Sequence, residues 1–423
     1  MKILGFNYEY PPLGGGGGIV HSLIAEELAR RHEVTVITSA YGDLPSTEIR
    51  NGVEIHRVPV LARSDAAVAS LVSMLCYPPA AYHRAARLLR RQRFDVVNGH
   101  FAVPTGPGSL LAAKTARVPH VLSLHGGDIF DPSKRLPPHR VPGLRSVVTS
   151  MLRRSDAVVA QSTNTRDNAY RYYPYTGPIE IIPLGIRQPV YEPAPRSRLG
   201  LPSKGFVLIT IGRLIKRKSI DRLLTVLARP ECRPVCLVVV GDGPQLHPLQ
   251  SLARQLGIAD RVQFAGQVTE QHKWQLLSAA DVYVSTTMHE GFGLVYLEAM
   301  AAGKPVITYD HGGQTDFLID GETGWLVSSG DADALAGAIA EAARNPEAVD
   351  RIGNANRQRA PQHRIERCAQ QYEALFERVL GEDLPPEREN ATDGGHAQSS
   401  LRSALAKPQS PEITSSRAEQ TVG

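Results

Sequence analysis

Cysteine is scarce in this chain. Its 423 residues hold four, Cys76, Cys232, Cys236 and Cys368, too few and too scattered for a disulfide framework, so they read as buried, reduced thiols. Cys232-Arg-Pro-Val-Cys236 has no second pair, which excludes a zinc knuckle, and its spacing is not that of a redox Cys-x-x-Cys. Aromatic residues make up only 6%. No apolar run approaches the roughly 18 residues that a membrane-spanning helix needs. Behind Met1-Lys2 the apolar Ile3-Leu4-Gly5-Phe6 gives way at once to Asn7-Tyr8-Glu9-Tyr10, without the continuous core and small-residue cleavage site of a secretory signal. The expectation is therefore a cytoplasmic protein.

Charge is uneven along the chain. Residues 1–190 carry 22 Lys+Arg against 14 Asp+Glu, residues 191–380 carry 21 of each, and residues 381–423 carry 4 against 7. The basic first half could meet anionic lipid or phosphorylated substrates. It shows no nucleic-acid module and no basic stripe interleaved with aromatics, so nucleic acid is not an expected partner.

What the sequence does contain is a rhythm. Short β-branched runs (residues 34–38, 53–58, 95–98, 120–124 and 156–160) alternate with helix-length segments. The pattern restarts at 206–211 and continues through 235–240, 262–264, 281–285 and 305–308. Near-continuous apolar runs of this kind are buried parallel strands, so the fold class is α/β with two Rossmann-like parallel-sheet domains facing a central cleft. We divide the chain into a first domain 1–190, a second domain 191–365, a last helix 366–382 and a disordered tail 383–423. Three prolines in Gln188–Ser197 mark the linker. The tail has too little apolar material to offset its ordering entropy.

Four motifs fall at expected strand ends, where open α/β sheets bind ligands. After the first strand come Gly14-Gly-Gly-Gly-Gly18 and a helical run, a place where backbone amides can approach phosphate and the helix dipole favours an anion. A flexible surface loop is the competing reading. The acidic residue of a dinucleotide fingerprint is missing after residues 34–38, where Ser39 and Ala40 stand, which disfavours an NAD-dependent oxidoreductase. His125-Gly-Gly-Asp128 closes another strand; a lone histidine is more often structural, and Asp128 could simply cap a turn. Gly212-Arg213 and, five residues on, Lys218 bring a bidentate fork and a point charge suited to a diphosphate. The most specific signal is Glu290-Gly-Phe-Gly-Leu-Val-Tyr-Leu-Glu298. There the amides of Phe292, Gly293 and Leu294 open a helix toward phosphate, and the two carboxylates can accept hydrogen bonds from sugar hydroxyls.

Together with His100-Phe-Ala-Val-Pro-Thr-Gly106, Ile182-Pro-Leu-Gly-Ile186 and Gly241-Asp-Gly-Pro244, these motifs resemble glycosyltransferase family 4 over about residues 1–380. That family comprises retaining, sugar-nucleotide-dependent transferases of the GT-B fold. The resemblance implies transfer of a hexose from a UDP- or GDP-linked donor to an acceptor hydroxyl, with no tightly bound cofactor and no metal. It implies catalytic positions at His125, Glu290, Arg213 and Lys218. It implies substrate contacts at Gly16, Gly17, Gly18, Phe292, Gly293, Leu294 and Glu298, with the last helix crossing back onto the first domain. Within it, Arg213 and Lys218 hold the diphosphate, Glu298 the ribose, Glu290 the transferred sugar, and His125 sits near the reacting carbon. Ser219 stands where the family usually has glycine, and five glycines exceed what the loop needs.

The acceptor side is less legible. Residues 64–95 mix Leu71, Val72 and Leu75 with Arg84, Arg87, Arg90 and Arg91, which suits peripheral contact with an anionic membrane at its inner face and a lipid-linked or polysaccharide acceptor, a small glycosyl acceptor being the other option. A solvated basic helix explains the same residues. A nucleotide-sugar-binding protein without turnover is the alternative to an enzyme.

Overall fold

The structure, a computed structural model, describes residues 1–63, 70–134 and 136–381. The expected tail 383–423 and residues 64–69 of the expected membrane-facing segment lie outside the described residues. Two sheets form. The first contains β1 (Lys2–Phe6), β2 (Glu33–Ser39), β3 (Thr47–Arg50), β4 (Val53–Val58), β5 (Val96–His100), β6 (His120–Leu124), β7 (Ala157–Ala160) and β8 (Glu180–Ile181), in the order β3-β4-β2-β1-β5-β6-β7-β8. The second contains β9 (Phe206–Ile211), β10 (Val235–Val240), β11 (Val262–Gly266), β12 (Val282–Ser285), β13 (Val306–Tyr309) and β14 (Gly324–Val327), in the order β11-β10-β9-β12-β13-β14. Every named pairing is parallel except β3 with β4.

The helices that cover the first sheet are α1 (Gly16–Leu28), α2 (Leu71–Leu89), α3 (Gly106–Ala116), α4 (Pro142–Arg154) and α5 (Thr163–Tyr172). The second half adds α6 (Ile220–Leu227), α7 (Leu246–Gln255), α8 (Glu270–Ala279), α9 (Leu294–Ala301), α10 (Ala332–Arg344), α11 (Pro346–Arg359) and α12 (Ile365–Gly381). Sandwiching explains the strand composition: all five residues of β5 and of β6 are buried, so neither strand can alternate polar with apolar side chains.

α12 leaves the second half and packs on α1. Its buried stripe, Ile365, Cys368, Ala369, Tyr372, Leu375, Phe376 and Val379, keeps the spacing of one helix face. Each of the larger side chains contributes roughly 1.5–3 kcal/mol by burial. Polar contacts fix the register: Tyr372 donates to Ser123 Oγ at 3.1 Å, and His32 Nε2 meets Glu373 at 2.6 Å.

Both sheets change direction at a central strand, and this positions the site. β1 lies between β2 and β5, and β9 lies between β10 and β12. Loops leaving such a strand and its neighbour diverge and open a crevice. In the first sheet those loops are the glycine loop and residues 101–105; in the second they carry Arg213–Ser219 and Thr286–Gly293.

Candidate active site

On the first sheet's side, α1 starts inside the glycine run, at Gly16. Gly14 has φ +83°, a side chain at Gly17 would strike the Phe101 ring, and a Cβ at Gly18 would stand 2.6 Å from Glu9 O. Gly16 has nothing within 4 Å. The loop therefore needs glycine at 14, 17 and 18 and has room for a side chain at 16. Glu9 Oε2 accepts from Gly15 N at 3.0 Å, which sets the loop's curvature.

Phe101, directly after β5, holds φ +74°, a left-handed conformation that costs a bulky residue energy and persists where surrounding bonds enforce it. Its N–H donates to Ser123 O at 2.9 Å, and its carbonyl accepts from Gly106 N. The ring ends 4.5 Å from that of His125. Asp128 does more than cap a turn: its two oxygens accept from His125 N at 2.9 Å and Ala102 N at 2.7 Å, joining the His125 loop to the Phe101 loop. His125 Nε2 lies 2.9 Å from His100 Nδ1, and His100 stacks on His21. Burial pushes His125 down to about 4 and His21 to about 3, so both imidazoles are neutral.

On the second sheet's side, Lys218 Nζ stands 2.8 Å from Glu290 Oε2. Burial alone would raise the Glu290 pKa, but Lys218 and then Arg217 outweigh it and hold the carboxyl below its usual range. Arg217 also donates to His289 O and approaches Asp131 of the first half at 4.0 Å. Ser219, where a glycine is usual, adopts φ +48° and so preserves the turn that presents Lys218. Glu298 Oε1 pairs with Lys273 at 2.8 Å, while its Oε2 is buried without a hydrogen bond among the described residues. Burial raises the Glu298 pKa, against the pull of Lys273. Gly293, at φ +89°, caps α9, and Leu294 is its first residue. The Phe292 side chain belongs to the core, packed on Phe317 at 4.9 Å, so only its backbone faces the helix opening.

The two faces meet. Arg213 reaches the glycine loop, with Nη2 3.6 Å from where a Cβ of Gly15 would be. Ser162 donates to Gly291 O at 2.8 Å, Thr163 N to Asp316 at 2.7 Å, and a Cβ on Gly126 would lie 2.8 Å from Gly291 Cα. Sequence reasoning gave no role to Lys273, Arg217, Asp131 or His21, and named His100 only as part of a motif. Lys273 sits mid-helix with no local mark; His100 could have been found from its place at a strand end beside the switch point. Among the described residues no group of His, Cys, Asp or Glu is arranged to hold a metal ion, and no helix is long and apolar enough to cross a membrane.

Two facing α/β lobes, with cations and carboxylates of one opposite a glycine loop of the other, define a GT-B glycosyltransferase. The pattern described as Glycosyltransferase Family 4 matches residues 14–188, and that described as Glycosyl transferases group 1 matches residues 192–359. N-acetyl-alpha-D-glucosaminyl L-malate synthase of Bacillus anthracis is 28% identical, over 88% of this chain and 96% of its own. D-inositol 3-phosphate glycosyltransferase of Streptomyces scabiei is 31% identical, over 82% of each chain. Among solved structures, sucrose-phosphate synthase from Thermosynechococcus elongatus superposes with TM-score 0.78 at 22% identity, covering 90% of this chain and all of that one. Anabaena HepE in complex with UDP-glucose gives 0.72 at 23%, covering 89% and all. The chain belongs to glycosyltransferase family 4.

Proposed function

We propose that this glycosyltransferase moves a hexose from a UDP- or GDP-linked donor to an acceptor hydroxyl with retention of configuration, in the synthesis of a glycolipid, polysaccharide or small glycoside. The observation that carries the donor site is the approach of Arg213 to Gly15 across the cleft, beside the Lys218–Glu290 pair. A diphosphate bound there has fixed cations on one side and, on the other, the amides of Gly16 and Gly17 at the start of α1, the Gly18 N–H donating instead to Gly15 O at 3.0 Å; Phe292, Gly293 and Leu294 offer amides at the start of α9. Arg213 and Lys218 stabilise the charge that builds on the departing diphosphate without a metal. Buried Glu298 Oε2 takes a ribose hydroxyl, and Glu290 takes a hydroxyl of the transferred sugar.

Retention follows from the family resemblance. The two carboxylates that follow His125 in its loop are already engaged, Asp128 by two backbone amides and Asp131 by Ser133 at 2.6 Å, which disfavours a covalent carboxylate intermediate on that side. Donor hydrolysis tests this: with an α-linked donor, proton NMR taken before mutarotation shows the α-hexose first. A β-hexose would refute retention.

Relatives named for malate and for inositol 3-phosphate support a small anionic acceptor. At the start of α2, Leu71, Val72 and Leu75 are exposed, and Arg87, Arg90 and Arg91 are exposed at its other end. This favours peripheral contact with an anionic membrane. The parent chain should float with anionic vesicles and the variant lacking Arg84, Arg87, Arg90 and Arg91 should not; equal flotation, or none by the parent, removes the membrane.

A further inference from the structure

Two of the three stacked histidines have no part in the donor site as described. His21 of α1 and His100 of β5 lie face to face, with centroids 3.8 Å apart and planes within 18°, and are 3% and 0% exposed. His100 Nδ1 and His125 Nε2, 2.9 Å apart, share one hydrogen bond. Since each neutral imidazole carries a single proton, that bond allows only two arrangements.

In the first, His125 donates from Nε2. His100 must then hold its own proton on Nε2, a buried atom with no hydrogen-bond partner among the described residues. An N–H would be orphaned in the core, where no ligand can reach it. In the second, His100 donates from Nδ1 and keeps a bare lone pair on Nε2. His125 then carries its proton on Nδ1, which is also buried and has no close hydrogen bond among the described residues, but lies beside the Gln161 side chain, whose hydrogen bonding favours a proton on His125. The difference is place. His125 Nδ1 belongs to the ring beside Phe101 and Gln161, at the junction with Gly291 where the two lobes meet, so Gln161, or a ligand oxygen in its place, can satisfy it. The second arrangement leaves no N–H stranded in the core and sets the Nδ1 proton beside Gln161 at the junction of the lobes.

We propose that His100 is a positioning residue that fixes His125 as the Nδ1–H tautomer and turns that N–H to the cleft, so that His125 acts as a hydrogen-bond donor to an oxygen of the bound sugar and not as a general base. This rests on the proposed placement of the donor sugar against His125. His21, in the helix that the glycine loop opens, supports it by covering one face of the His100 ring.

The test has two independent arms. Two-bond proton–nitrogen NMR of the 15N-histidine-labelled, ligand-free protein, assigned with the His100→Asn and His125→Asn variants, is expected to show His125 with a pyrrole-type Nδ1 and a pyridine-type Nε2. The reverse pattern overturns the proposal whatever the nucleotide results. The kinetic arm compares His100→Phe, which keeps the ring but loses the donor, with His100→Asn, whose amide can place an N–H where Nδ1 stood. For donor hydrolysis, His100→Phe is expected to lower kcat by about ten- to a hundredfold with no comparable change in donor KM. His100→Asn is expected to restore most of the loss. Parent-like kcat in His100→Phe, or equal loss in both variants at equal melting temperature, contradicts the assignment. Failure of the functional reading is seen separately, as no stabilisation of the parent by any nucleoside diphosphate.

Discussion

Replacing Lys218 by Ala is expected to destabilise the fold as well as abolish transfer. Glu290 sits with Lys218 at 2.8 Å in a site where both side chains are largely covered, and burial by itself pushes the Glu290 pKa up. Removing the nearer cation leaves a covered carboxylate facing only Arg217, at a cost of roughly 3 kcal/mol, the low end for a broken buried pair because Arg217 still offsets part of the charge. The pH dependence carries the signature. In the parent the folded Glu290 pKa is lowered, so its stabilising contribution is present above the ordinary carboxylate range and is lost as pH falls through the folded value. In Lys218→Ala the shift reverses, and the deficit at pH 7 should shrink as acid protonates Glu290. Urea melts at pH 7 and pH 5 check this. Lys218→Ala/Glu290→Gln should recover most of the stability and none of the activity. A Lys218→Ala protein as stable as the parent at pH 7 would show that the pair is not a covered one.

Arg213→Ala is expected to keep the fold and lose the reaction. The guanidinium lies at the glycine loop rather than in either core, and loss of one preorganised group that stabilises transition-state charge typically costs about 10²–10³ in kcat. Because the same contact holds the diphosphate in the ground state, nucleotide-dependent stabilisation should fall with it. Saturating nucleoside diphosphate, at a hundred times its dissociation constant, adds about 2.7 kcal/mol to the parent. Retained stabilisation with lost turnover would confine Arg213 to the chemical step; retained turnover would remove it from the site.

The strands that sequence made legible are the buried ones. β2, β4, β5, β6 and β7 of the first sheet, and β9, β10, β12 and β13 of the second, are almost wholly buried and rich in β-branched residues, and β11 carries a shorter apolar run, so they stand out from the helical segments between them. The strands not anticipated are β3 and β8, which edge the first sheet, and β14, which edges the second. Thr47-Glu-Ile-Arg50 is half exposed, and Glu180-Ile181 is only two residues long, so neither has a buried run to read. The site divides the same way. Arg213, Lys218, Glu290 and Glu298 lie in short motifs fixed by the strand-to-helix turns that bear them. The groups that complete the site come from elsewhere: Lys273 reaches Glu298 from α8, Asp131 approaches Arg217 from the opposite lobe, and His100 meets His125 from the neighbouring strand. Contacts set by packing across 25 to 86 residues leave no local trace.

The central claim is that the cleft binds a nucleoside diphosphate sugar through its diphosphate. Thermal unfolding with UDP, GDP, ADP, TDP and NAD, on the parent and on Arg213→Ala and Glu298→Ala, tests it most directly. The account predicts that one nucleoside diphosphate raises the melting temperature of the parent and not of either variant, which also identifies the donor base. A response to NAD alone, or the same nucleotide response in all three proteins, would contradict it.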